Sequence, residues 1–175
     1  MNYLAEGGEA ATESFRSNYL IEGAELEELL KEPPQDLKII DCSFVPGEPE
    51  KGAADHAAKR ITADTVFFDM LEIRDKQSSL IFMLPPLDVF KSHMVKLGIQ
   101  KNHRIVVYDA SQQGIFTSPR CAWILKYYGA SNVKILNGGL KKWLIDGRAV
   151  VENAPIADTE FNEADGDYSY EAHDP

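Results

Sequence analysis

Few residues in this chain could do covalent chemistry. They are two cysteines, Cys42 and Cys121, four histidines, and the acids and hydroxyls within "VVYDASQQGIFTSPRCAW" (106–123). A nucleophilic cysteine needs a stabilised thiolate, from a helix N-terminus or nearby cations, together with partial exposure. Cys42 ends an apolar run beside Asp41, and Cys121 falls in the second turn of a helical stretch on the side expected to be apolar. Free cysteines are among the most buried residues, so both read as structural. Phosphatase chemistry also needs an arginine closing the loop after the cysteine, where this chain has Glu48 and Tyr127. A phosphoryl-accepting aspartate at Asp109-Ala110-Ser111 lacks its second acid, whose place Ser111 takes. His56, His93, His103 and His173 lie on separate segments with no metal-ligand spacing, and read as solvated or capping side chains. Neither G-x-G-x-x-G nor G-x-x-x-x-G-K-[ST] occurs, so no cofactor, nucleotide or metal is expected.

Arg120 and the tryptophans have structural readings. In the first turn of a helix a cation opposes the macrodipole at about 0.3–1 kcal/mol. An acid at a strand's carboxyl end (Asp41, Asp69 or Asp109) would offset that, and a structural ion pair of Arg120 with Asp69 is expected. Trp123 and Trp143 sit at apolar helical spacing and are expected in helix–sheet contacts.

These residues must be positioned by alternating elements. "NYLI" reads as a short strand and "EGAELEELLKE" as a helix with Leu26, Leu29 and Leu30 on one side, stopped by Pro33-Pro34. "LKIIDCSF" is a buried strand, "AADHAAKR" a short helix and "TVFFD" another strand, followed by the aperiodic "MLEIRDKQSSLIFML". Pro85-Pro86 open a helix whose buried side is Leu87, Phe90, Met94 and Leu97, with Gly98 at its left-handed end. After strand 104–108 and its loop, Ser118 is expected to cap a helix with Pro119 at its first position. "VKILN" and "LKKWLIDG" supply a last strand and helix. The alternation predicts an α/β domain over 18–150: a parallel central sheet, helices on both faces and right-handed crossovers.

The flanks differ in composition. The net charge is −10, and residues 149–175 carry eight acids with no Lys or Arg, so 151–175 reads as an acidic linker or tail. Residues 1–17 have neither the Arg-rich, acid-poor character of a transit peptide nor the apolar core of a signal peptide, and read as a disordered leader. A pI near 4.8 and the lack of a basic stripe argue against nucleic acid, and no apolar run suits a membrane helix. Two cysteines suit a reducing compartment, and a cytoplasmic location is expected, with a mitochondrial one as the alternative.

Five segments together resemble the rhodanese-like sulfurtransferases. They are "KIIDCSF", "VFFDMLEIRDKQSSLIFMLPP" (66–86), "LGIQKNHRIVVYD" (97–109), "GIFTSPRCAWILKYYG" (114–129) and "VKILNGGLKKWLIDGRAV" (133–150). More narrowly, they are similar to the N-terminal half of two-domain thiosulfate and 3-mercaptopyruvate sulfurtransferases. The resemblance implies a single rhodanese fold lacking the persulfide-forming cysteine of the C-terminal half, with Asp109 in its place. It also implies a substrate cleft lined by Asp109, Ser111, Gln112 and Gly114, and by Phe82 of "IFMLPP". The chain departs from the family at "KRITADTVFFD", where a His-containing turn is expected, at Phe82, which replaces a histidine, and at Leu71, where an acid is expected. The partner implied is a catalytic rhodanese domain, in the same protein or another chain, through which the sulfur donor is reached. The chain alone is expected to be inactive and to be one half of a longer protein. A stand-alone binding or regulatory module is the alternative, and an enzyme using Cys42 or Cys121 is a third.

Overall fold

Residues 19–156 and 161–173 are described by a computed structural model of the chain. The leader expected over 1–17 lies outside them. Seven strands and five α-helices follow in order: β1 (Leu20–Ile21), α1 (Gly23–Leu29), β2 (Leu37–Asp41), α2 (Lys51–Ala58), β3 (Lys59–Arg60), β4 (Val66–Phe67), α3 (Leu87–Leu97), β5 (Arg104–Tyr108), α4 (Ser118–Tyr127), β6 (Val133–Leu136), α5 (Gly139–Ile145) and β7 (Val151–Glu152). The main sheet has the order β1-β6-β5-β2-β4 and is parallel throughout, while β3 and β7 form a separate antiparallel pair.

The central strand β5 shows why the sheet is covered on both faces. Side chains alternate across a strand, and here Ile105 and Val107 enter one core while Val106 and Tyr108 enter the other. The first core takes Phe90 and Met94 from α3 and Cys121, Ile124 and Leu125 from α4. The second takes Leu26 from α1 and Leu140 and Trp143 from α5. Gly98 ends α3 in the left-handed conformation that its position demanded. No helix among the described residues is long and apolar enough to cross a membrane.

The chain after β7, read from composition as linker or tail, lies against the domain where it is described. Arg60 is fully buried and donates to the carbonyls of Ala63, Ala154 and Pro155. Further on, Tyr168 and Tyr170 join the α3–α4 core, Tyr170 Oη donates to the Ile99 carbonyl at 2.9 Å, and Lys101 N donates to the Asp167 carbonyl. Backbone bonds from Glu171 and His173 to the carbonyls of Tyr128 and Tyr127 complete the attachment. Tyr170→Phe, which leaves one buried carbonyl without its donor, is expected to cost about 1 kcal/mol. Urea unfolding of the two proteins side by side checks it.

Candidate functional site

Strands β2 and β5 are parallel neighbours with Asp41 opposite Tyr108, so their carboxyl ends place Asp41 and Asp109 side by side. The loop 109–117 leaves from here and returns as α4. Its geometry is organised by one carboxylate. Asp109 Oδ2 accepts from the backbone N–H groups of Phe116 (2.9 Å), Thr117 (3.0 Å) and Ser118 (2.9 Å) and from Ser118 Oγ (2.7 Å), and Oδ1 accepts from Ser111 N (3.1 Å). The side chain is buried, the residue being 1% exposed. Thus Asp109 caps α4 from outside the helix. The sequence had pointed to Ser118 as the cap, but Thr117 occupies that position without a side-chain cap bond, and Ser118 begins the helix.

The loop is also braced from both sides. Leu140 N donates to the Asp109 carbonyl, and Lys141 Nζ reaches the Gln112 carbonyl at 2.6 Å. Thr117 Oγ1 donates to the carbonyl of Cys42 at 2.6 Å. Ser111 and Gln112, with Ser43, Phe44 and Phe116, line a cavity of about 290 Å³ over the loop, and Gln112 also lines a neighbouring one of about 520 Å³ beside α5. Gly114 packs against Gly138. Phe82 joins this group through Phe44, the rings meeting edge-on with centroids 4.9 Å apart.

Asp41 anchors a second group that the sequence reading missed. Ser43 N and Ser43 Oγ donate to Oδ1 at 2.9 and 2.5 Å, and His56 Nδ1 lies 3.0 Å from Oδ2. Ser43 Oγ in turn accepts from Ala110 N, which ties this group to the loop. His56 is therefore a buried, paired histidine and not a solvated one. The only local signal was the Asp-x-Ser at a strand end, an Asx-type turn that says nothing of a histidine fifteen positions on.

Arg120 is placed differently from expectation. Its Nε and one terminal nitrogen donate to the Phe82 carbonyl at 3.1 and 2.7 Å, and the guanidinium lies 4.4 Å from the Trp123 ring. The Asp69 carboxylate instead accepts from the N–H groups of Leu71 and Glu72 in one local turn, so the expected Arg120–Asp69 ion pair gives way to that turn and to the long-range Arg120–Phe82 contact. Phe82 has a φ of 63°, a left-handed conformation for a non-glycine residue, and Arg120 holds it there. Trp123 is 46% exposed, not packed on the sheet, whereas Trp143 is buried as expected.

Neither cysteine is poised to react. Both are buried and free, and Cys42 Sγ donates to the Tyr108 carbonyl at 3.2 Å. Burial first, then the neighbouring Cys121 and the charges of Asp109 and Asp41, push the Cys42 thiol well above its ordinary value. No cluster of three metal-ligating side chains exists among the described residues. The loop thus has inward-pointing N–H donors of the kind that stabilise an anion, and a carboxylate of the chain itself already occupies them.

A parallel sheet covered on both faces, with a donor-lined loop at its carboxyl edge, is the architecture of a rhodanese domain. A family model described as "Rhodanese-like domain" matches residues 22–146, and the chain belongs to that family. Among curated relatives it is 36% identical to thiosulfate sulfurtransferase of Gallus gallus over 65% of this chain and 39% of that one. It is 33% identical to 3-mercaptopyruvate sulfurtransferase of Escherichia coli (strain K12) over 74% and 46%. The crystal structure of SseA from Escherichia coli, a 3-mercaptopyruvate sulfotransferase, superposes with a TM-score of 0.70 at 29% identity, covering 83% of this chain and 56% of that one. The chain spans less than half the length of these curated relatives.

Proposed function

We propose that this chain is the non-catalytic rhodanese half of a thiosulfate or 3-mercaptopyruvate sulfurtransferase, packing on a separate catalytic rhodanese domain and forming one wall of its cleft. The observation that carries this is Asp109. A carboxylate cannot accept a sulfane sulfur, and its five hydrogen bonds consume the donors that would otherwise steady a persulfide. A surface of the right character adjoins the loop: Phe82 and Trp123 share Arg120, Phe44 touches Phe82, and Phe116 is half-exposed beside Phe44. Leu80, Ile81 and Met83, in the same segment as Phe82, are exposed as well. Apolar groups gathered in this way favour a protein partner. The match to part of longer relatives supports the same reading.

The test is intact mass, under non-reducing conditions, after incubation with thiosulfate and separately with 3-mercaptopyruvate. The expected result is no sulfur adduct on the chain, and no thiocyanate when cyanide is added. A sulfur adduct lost in Cys42→Ser alone, or in Cys121→Ser alone, would overturn the proposal and identify that thiol as a nucleophile.

A further inference from the structure

Asn137 is one of seven asparagines in the chain and the only one followed by glycine. It follows β6, and Gly138 and Gly139 carry the chain from there into α5. Both glycines have positive φ, 79° and 58°, so the fold favours glycine at each position. Asn137 and Gly138 are half-buried and partly open to water. The Asn137 N–H donates to the Ile21 carbonyl at 2.9 Å, and its side-chain Nδ2 donates to Glu22 Oε1 at 2.7 Å. The Gly138 N–H, by contrast, makes no hydrogen bond among the described residues.

That nitrogen is the chain neighbour of a carboxamide carbon on a thermolabile residue type, and no Cβ on Gly138 shields the approach. A backbone amide held in a hydrogen bond must give it up before it can attack, and this one has none to give up. We propose that Asn137–Gly138 is a self-modification site at which the folded chain deamidates, and that the isoaspartyl product unseats Gly139 from the Asp109 loop. The Gly138 nitrogen attacks Asn137 Cγ, forming an N–C bond and losing its proton to solvent base. The Cγ–Nδ2 bond breaks, and Nδ2 leaves as ammonia with a proton from water. Water then opens the succinimide at either carbonyl, to aspartate or to isoaspartate. In net, one water enters and one ammonia leaves, and nothing is oxidised or reduced.

Both products act on what Asn137 joins. An aspartate replaces the donor to Glu22 by a second carboxylate, so an attraction between the start of α1 and the end of β6 becomes a repulsion. An isoaspartate also lengthens the main chain by one carbon directly ahead of Gly138. Gly139 is pressed against the carbonyl oxygens of Gly114 and Asp109, and Leu140 N donates to the same Asp109 carbonyl at 3.0 Å. With that carbon added, the start of α5 cannot keep its seat on the loop while β6 keeps its place in the sheet.

The test keeps the folded chain and a synthetic peptide of residues 135–141, the tryptic fragment that holds Asn137, for days in the same mildly alkaline buffer. The fragment should gain about 1 Da, the difference between a carboxamide NH₂ and a carboxyl OH, and should resolve into two chromatographic species. The rate in the folded chain should lie within about tenfold of that in the peptide. Reaction confined to globally unfolded molecules would be slower by orders of magnitude. Asn137→Gln keeps the donor to Glu22 and should gain no mass over the same period. In the isoaspartyl protein, separated by ion exchange, the amide hydrogens of Phe116, Thr117 and Ser118 should exchange at least about tenfold faster than in fresh protein. Asn137→Asp, which has the charge without the extra carbon, should change them less. A rate in the folded chain more than about tenfold below that of the peptide would overturn the proposal. So would mass gained at another asparagine with Asn137 intact, or unchanged exchange at those three amides in the isoaspartyl protein.

Discussion

Asp109→Ala is expected to destabilise the domain by about 4 kcal/mol. The substitution strips three backbone N–H groups at the start of α4, the Ser118 hydroxyl and Ser111 N of their acceptor at once. Each unmet buried donor costs about 1–3 kcal/mol, and loss of a helix cap about 1. Water entering the emptied site would recover part of that, hence a figure below the simple total. For a chain of this size about 4 kcal/mol lowers the melting temperature by about 10 °C. Asp109→Asn retains one acceptor oxygen and should cost about half as much. Calorimetric melts of the three proteins check the order wild type, Asn, Ala. If Asp109→Ala melted with the wild type, the carboxylate would not be what organises the loop.

Gly139→Ala is expected to cost about 3–4 kcal/mol, more than its single methyl group suggests. Gly139 has a φ of 58°, and a Cβ there would run into the backbone carbonyl oxygens of Gly114 and Asp109. Left-handed backbone adds about 1–2 kcal/mol for an L-residue and overpacking about 1–3. Neither oxygen can step aside cheaply, because each belongs to the loop that Asp109 closes. Gly147→Ala is the control. It has a φ of 71° with nothing within 4 Å of the added carbon, so only the backbone cost of about 1 kcal/mol should appear. Equal melting temperatures for the two variants would show that α5 is not pressed against the loop as described.

The fold was legible because its signals are local. The continuous apolar run of "RIVVY", the leucines of "ELEELL", and Pro85-Pro86 to Gly98 around a helix each report their own segment, and strand–helix alternation then restricts the topology. The start of the loop was legible for a similar reason: Asp109 sits at the end of an unmistakable buried strand, whereas the packing of Gly138 and Gly139 against the loop was not read from the sequence. The rest of the site depends on contacts between residues far apart in sequence. His56 finds Asp41 across a Pro/Gly-rich stretch, and no spacing rule links a short Ala-rich helix to a neighbouring strand end. Arg120 was read as needing a charge partner. It found instead a carbonyl turned toward it by the left-handed conformation of Phe82, and an aromatic face one turn along its own helix. Trp123 shares its helical spacing with core residues, but its exposure follows from its place next to Arg120 at the edge of the apolar surface.

The return of the chain after β7 bears on how this protein comes apart. The two cores lie on opposite faces of the sheet and share only the strands between them. Val150 packs on the α1–α5 core, and Arg60 fastens the carbonyls of Ala154 and Pro155 soon after. By Tyr168 and Tyr170 the same stretch is embedded in the α3–α4 core. The chain is therefore fastened to one layer before residue 157 and to the other after residue 160, like a belt held at its two ends, and neither layer can peel from the sheet without drawing on the other's fastening. Unfolding should accordingly be a single cooperative event, and cutting the belt should let the two faces melt in separate steps.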